Sequence, residues 1–211
     1  MTDLAIYAAV LISVFAIVDP VGTLPFFVAL TEGLSEADRE VVLRRAVIVF
    51  ATVLVLFALL GRFLFAAFGF TLGAFEIAGG ILLFLVAFDM LQGEMTRTKF
   101  TSQDQDVAVA HRDEIAVVPL GIPLLAGPGA ISTVMIYEGS AGTDPWLIVA
   151  TFVAIFVTAC ATYVILRVGR PILGKLGRTG VMAMTRVLGL ILAALGVQFV
   201  LNGVASVLPH L

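Results

Sequence analysis

Asp19, Pro20, Gly22, Thr23 and Pro25 stand inside the first apolar run, in the stretch FAIVDPVGTLPFF from Phe15 to Phe27. An acid at the centre of a membrane helix costs roughly 2.5–3.5 kcal/mol on insertion scales, and ionisable residues at that depth are functional by default. Such a carboxylate can hold an ammonium group, a proton or another cation. Proline removes a backbone donor and clashes with the turn before it, so Pro20 is expected to free the carbonyl of Ala16, and Pro25 that of Val21. Proline also suits the first position of a new helix. Asp19 is then the N-cap of a second half-helix, accepting from Gly22 or a nearby amide.

A second constellation lies in PLLAGPGAIST, built from Gly127, Pro128, Gly129, Ala130, Ile131, Ser132 and Thr133. Pro119, Pro123 and Pro128 should release the carbonyls of Ile115, Pro119 and Leu124. Pro128 would open a half-helix whose cap, Gly127, has no side chain. The amides of Gly129, Ala130 and Ile131 are expected to stay open with the positive end of a helix dipole behind them, which is an anion site by construction. Ser132 and Thr133, one turn on, would add hydroxyl donors. One break offers a carboxylate and the other bare amides, a pair that matches a small zwitterion; a cation or proton at Asp19 fits equally well. Irregular backbone at membrane depth survives only when buried in protein or facing a water-filled cavity, so the two breaks are expected to face each other at the bundle centre. Glu76 is a further candidate for proton or cation coupling.

The elements that must position these residues are membrane helices. The chain has 211 residues, is 61% hydrophobic and only 13% charged, with mean hydropathy +1.13; a soluble domain carries about a quarter charged residues. Runs of the length a span needs, roughly 20 residues, lie near 5–31, 46–68, 72–91, 115–137, 146–169 and 183–204. The expected fold is an all-α integral membrane protein, one transmembrane domain over 1–211, with helices one and four broken. Ser35 and Asp38 resemble a capping box ahead of span two. Segment 92–114 is the one sizeable linker, joining a first repeat of about 5–91 to a second of about 115–204.

Of twelve Lys and Arg residues, Arg62 alone falls on one side; the other eleven occupy or adjoin the loop after span one, the linker and the loop after span five. The positive-inside rule then puts both termini on the non-cytoplasmic side of the plasma (inner) membrane. Spans one to three start outside and spans four to six start inside, so the halves are expected to be inverted repeats. IAGGILLFLVAFD from Ile77 and VLGLILAALGVQF from Val187 align without gaps, matching Gly79 with Gly189. Paired interrupted helices in the two halves point to a transporter binding site.

Other residues read as structural. Cys160, the single cysteine, is expected to be a buried packing residue. Arg186 can snorkel; Asp89 is expected at the solvated end of span three. Gln198 and Asn202 are expected to bond between helices, and Trp146 and Tyr137 to anchor an interface. His111 and His210 lie in the linker and tail, which suggests no metal site, and no cofactor is expected. There is no basic stripe for nucleic acid. The N-terminus lacks the positive region of a cleaved signal. No catalytic residues are predicted: the spans hold no histidine for a metalloprotease or a serine-protease base, and Asp19 and Glu76 differ in predicted depth, against a carboxylate dyad. A purely structural subunit would not need paired breaks.

DPVGTLPFF in span one and PLLAGPGAI in span four, with IAGGILLFLVAFDML and RVLGLILAALGVQF, resemble the MarC family of six-span membrane proteins, within a broader grouping that includes amino-acid exporters. The resemblance runs essentially end to end. It implies a secondary transporter or exporter of small neutral amino acids such as glycine and alanine, embedded in the lipid bilayer, with Asp19, Pro20, Gly22 and Pro25 as the first motif and Gly127, Pro128, Gly129 and Ile131 as the second. Transport of another small solute or a cation on the same scaffold is the alternative. The resemblance also sets Glu76 where relatives are often basic or uncharged. Direction, coupling ion and oligomeric state stay open.

Overall fold

The computed structural model describes residues 3–92, 114–141, 144–173 and 177–207. The linker at 93–113, with Arg97, Lys99, His111 and Arg112, lies outside these, as do Lys175 and His210. The described residues are all-α: α1 (Asp3–Val18), α2 (Pro20–Leu30), α3 (Glu36–Phe68), α4 (Leu72–Gln92), the irregular α5 (Ala116–Leu125), α6 (Pro128–Ala141), α7 (Pro145–Leu173) and α8 (Gly177–Val207). Among the described residues, five stretches are long and apolar enough to cross a membrane, or six if α5 and α6 form one span.

Pro20 sits at the first position of α2 and separates it from α1 at the single residue Asp19. The two still run on as one apolar stretch, Ala5–Leu30, because Asp19 N–H donates to the Phe15 carbonyl at 3.1 Å and Thr23 N–H to the Asp19 carbonyl at 3.0 Å. The interruption is local. Span four behaves differently: α5 and α6 meet at 57°. A residue before proline is pushed out of the helical region. Val118 and Ile122, which precede Pro119 and Pro123, accordingly take extended angles, φ −128°, ψ 121° and φ −139°, ψ 130°.

Helix α3 begins ten residues before the apolar run expected at 46. Ser35 caps it, accepting from Asp38 N–H at 3.1 Å and donating to Asp38 Oδ2 at 2.6 Å. Its 33 residues extend about 50 Å at 1.5 Å each, well beyond a hydrocarbon core of roughly 30 Å. The surplus at its start carries Arg39, whose Nε donates to the Thr31 carbonyl at 3.0 Å, and Glu40. Glu40 accepts from Tyr163 Oη of α7, and Arg167 Nη1 donates to the same Tyr163 oxygen at 3.0 Å. This polar knot fastens α3 to α7 at the end of the bundle where basic residues collect.

Two apolar clusters fill the interior. One gathers Phe26, Phe27, Leu30, Leu43, Met90 and Leu120; the other gathers Val14, Val18, Phe50, Leu125, Ala130 and Ile155. Since lipid is as apolar as leucine, tight packing rather than water exclusion must hold membrane helices together, and α4 with α8 shows how. Gly73, Gly80 and Ala87 of α4 lie antiparallel against Gly203, Gly196 and Gly189 of α8. A Cβ at Gly80 would stand 2.5 Å from the Gly196 carbonyl oxygen, and one at Gly196 2.6 Å from that of Gly80. A Cβ at Gly203 would stand 2.5 Å from the Gly73 carbonyl oxygen. This heptad-spaced glycine seam does not follow the alignment of Gly79 with Gly189, which sets seam residue Gly80 opposite Leu190, an exposed side chain. Pairing Gly73 with Gly189 and Gly80 with Gly196 places seam on seam.

Two further expectations fail. Cys160 is exposed, because an apolar run looks the same whether it faces protein or lipid. Gln198 Nε2 donates to Asn202 Oδ1 of the same helix at 2.7 Å, on an exposed face; the two side chains, one turn apart, satisfy each other before reaching another helix.

Candidate functional site

Asp19 has φ 45° and ψ 68°, the left-handed region, and is the one non-glycine residue at positive φ among those described. Aspartate tolerates that region better than most residues, and such strain persists only where the surroundings impose it. Its Oδ1 accepts from Gly22 N–H at 2.9 Å, as the sequence led us to expect, and Thr23 Oγ1 donates to the Asp19 carbonyl at 2.9 Å. The order of the motif has a steric cause. A Cβ at position 22 would overlap Asp19 Oδ2 and lie 2.8 Å from its Cγ, so the cap needs glycine there. Pro20 is buried while the Asp19 side chain is exposed.

The second motif starts α6. Gly127 is buried, and a Cβ on it would lie 2.7 Å from the Pro123 carbonyl oxygen. The ring of Pro128 lies against Gly79 of α4, where a Cβ would come within 2.7 Å of its Cγ. Gly129 and Ala130 sit in the first turn, ahead of any intrahelical donor bond. Ile131 departs from expectation: its N–H donates to the Gly127 carbonyl at 3.0 Å and is not open. Ser132 Oγ donates to the Pro128 carbonyl at 2.6 Å and Thr133 Oγ1 to that of Gly129 at 2.8 Å. Their protons are spent on their own helix, since a hydroxyl within reach of the carbonyl four residues back takes it.

The two interruptions are neighbours. Val18, one residue before Asp19, packs in the cluster that holds Leu125, Ala126, Ala130 and Ile131, and a Cβ on Gly129 would touch Ile17 at 3.5 Å. Span one also crosses from one apolar cluster to the other at its interruption, with Val18 and Phe26 on opposite sides of Asp19; in span four the crossing falls earlier, between Leu120 and Leu125 of α5. The Asp19 carboxylate itself bonds within α2 and is not bonded to α6 among the described residues.

The remaining candidates stand apart. Glu76 is half-buried early in α4, and Asp89 and Arg186 are exposed. Trp146 is exposed, whereas Tyr137 Oη donates to Ser13 Oγ of α1 at 2.9 Å, tying α6 to α1. Sequence reasoning passed over Glu138, taken for the start of a loop, and saw in Arg62 only a mark of orientation. Both line a cavity between α3 and α6. Among the described residues, no group of three or more His, Cys, Asp or Glu side chains is placed to hold a metal ion.

Residues 4–208 match the MarC family of integral membrane proteins. The chain is 39% identical over 198 residues to a UPF0056 membrane protein of Pyrococcus abyssi, covering 94% of each. It is 38% identical over 208 residues to one of Methanocaldococcus jannaschii, covering 98% of this chain and 99% of the relative. With a UPF0056 membrane protein of Escherichia coli it shares 34% identity over 209 residues, 99% of this chain and 96% of the relative. These names state a membrane location and no substrate. No solved structure matches. This chain belongs to the MarC family of integral membrane proteins.

Proposed function

We propose that the protein is a secondary transporter that moves a small neutral amino acid, of the glycine or alanine class, by alternating access between two inverted three-helix repeats. The observation that carries this reading is the adjacency of the two interruptions, with Ile17 against Gly129 and Val18 in one cluster with Ala126 and Ala130. Asp19 supplies negative charge there, with Oδ1 holding one backbone donor and Oδ2 available to an ammonium group or a coupling proton. The Gly129 and Ala130 amides, backed by the α6 dipole, suit the carboxylate. Pro20, Gly22, Thr23, Gly127 and Pro128 shape the two half-helix starts, and Ile131 adds an apolar wall. Ser132 and Thr133 serve as lone-pair acceptors in this scheme, because their protons are engaged.

In the orientation we propose, the basic loops face the cytoplasm and the termini face outward. The α4–α8 pair, joined by its own glycine seam, suits a body that rocks as a unit. A second reading, transport of a cation or another small solute, is favoured by the exposure of the Asp19 carboxylate. Proteoliposomes holding the intact protein decide between them. Labelled glycine or alanine should be taken up and be competed by each other, with a rate that responds to an imposed proton gradient if Asp19 couples protons. Uptake no faster than in protein-free vesicles refutes the transport of these amino acids.

A further inference from the structure

Gln198 and Asn202 put two amides on a face of α8 that the bundle leaves uncovered. Both side chains are exposed, and Gln198 Nε2 donates to Asn202 Oδ1 at 2.7 Å. Leu195 is the middle residue of the apolar stretch Ala183–Val207, so the two amides stand about 4.5 and 10.5 Å from its centre at 1.5 Å per residue. Both depths fall within the roughly 15 Å half-thickness of a hydrocarbon core, where no water completes their bonding. Their mutual bond leaves Gln198 Oε1, the second Nε2 hydrogen and the Asn202 N–H groups without a partner among the described residues. The face also has a period. Val187, Ile191, Ala194, Gln198, Leu201 and Ala205 are all exposed and follow at alternating steps of four and three, the a/d spacing of a coiled-coil seam. Gln198 lies about 200° round the helix from Gly196, so this stripe is on the far side from the seam with α4. The outer face of α4 shows Ile81, Phe84, Leu85 and Phe88 instead. Lipid suits that face and leaves the amides of α8 unsatisfied.

We propose that a second copy of this chain packs along this stripe, α8 against α8 in a parallel pair, with Gln198 bonded to Gln198 of the partner subunit. The bias of basic residues to one side gives every copy the same orientation, so the twofold axis runs along the membrane normal. Twofold symmetry then sets each a-position residue against its own image. An amide is its own complement: Oε1 of each copy accepts from Nε2 of the other. An unrelated membrane protein would need a matching polar group at the same depth, which a second copy has by identity. Ala194 and Ala205, on either side of Gln198, are small enough to let the two backbones approach. A single polar residue at an a position also fixes register, because a slip of one heptad would set Gln198 against Ile191 or Ala205. No charged side chain stands on the stripe, so the pair brings no like charges together. The pairing does not rest on the transport reading.

Energy transfer between full-length copies carrying donor or acceptor dyes at the N-terminus tests this, followed in liposomes as added lipid dilutes the protein. Transfer should fall along a monomer–dimer curve. Gln198→Leu, which keeps the stripe apolar, should move the midpoint to about three- to thirty-fold higher protein content, the scale of an interhelical amide bond. Gln198→Asn, which keeps an amide, should move it less. A second measurement locates the face. In a Cys160→Ser background, which removes the single cysteine, Ala194→Cys should give disulfide-linked dimers on mild oxidation. Phe156→Cys, on an exposed face of α7, should not. Helicity measured alongside identifies any variant that has not folded, and if Gln198→Leu is one, the cross-linking pair decides. Transfer at the chance level at every dilution overturns the proposal. So does a parental midpoint in folded Gln198→Leu protein, or cross-linking at Phe156→Cys without cross-linking at Ala194→Cys.

Discussion

Replacing Gly80 by alanine would drive a methyl group into the α4–α8 seam. The new Cβ would lie 2.5 Å from the Gly196 carbonyl oxygen and 2.9 Å from the Val200 amide nitrogen. Both are backbone atoms, so no change of rotamer relieves the clash. An ordinary contact needs 3.4 Å, and the helices must part locally by roughly 0.9 Å. A gap of about 0.5–1 Å forfeits a quarter to a half of each contact's attraction, and forcing methylenes into tight packing costs roughly 1–3 kcal/mol. Gly196→Ala should cost a similar amount. Because the two sites share one gap, the double variant should cost less than the sum of the singles, by about 0.5 kcal/mol or more. Ile81→Val, on the exposed face of α4, should stay within about 0.5 kcal/mol of the parent. Denaturant titration of helicity in mixed micelles reads all four. If both glycine variants match the parent, or their costs add fully, the seam is not the contact described.

Three further outcomes follow from the caps and ties. Gly22→Ala should expel the Asp19 carboxylate from its cap and cost about 1 kcal/mol in the same titration; an unchanged midpoint would show that Asp19 does not sit over Gly22. Ser35→Ala removes the cap of α3 and should likewise cost about 0.5–2 kcal/mol, with no effect if the helix truly begins at the apolar run. Tyr137→Phe deletes the bond to Ser13 and should cost roughly 0.5–1.5 kcal/mol; a Ser13→Ala partner variant should then add little.

The parts of this molecule that the sequence made readable are those governed by local rules. An N-cap acid followed by proline and a glycine two further on has few alternatives, so the role of Asp19 as the cap bonded to Gly22 could be read before any coordinates. The prolines of span four likewise announced irregular backbone. Bond partners chosen by competition were less readable. Ser132 and Thr133 turned to their own carbonyls, Ile131 to Gly127, and Gln198 to Asn202, because a partner one turn away costs less ordering than a distant one.

What faces lipid was hardly readable at all. Burial in water selects apolar residues for the inside, but in a bilayer both sides are apolar, and so the run around Cys160 could not show which way that thiol points. The glycine seam was legible in principle as Gly73, Gly80 and Gly189, Gly196, Gly203 at seven-residue spacing. Glu138 and Arg62 escaped notice because they are distant in sequence and only the packing of α3 on α6 brings them to one cavity.

The central claim is that the Asp19 carboxylate carries charge for transport while its geometry belongs to the helix cap. Asparagine caps as well as aspartate does, so Asp19→Asn separates the two roles. The decisive measurement is the initial rate of labelled glycine and alanine uptake into proteoliposomes by the parent and by Asp19→Asn, each verified to unfold at the same denaturant concentration. Equal stability, within about 0.5 kcal/mol, and loss of nearly all uptake are expected. Parent-level uptake by a stable Asp19→Asn protein would contradict it.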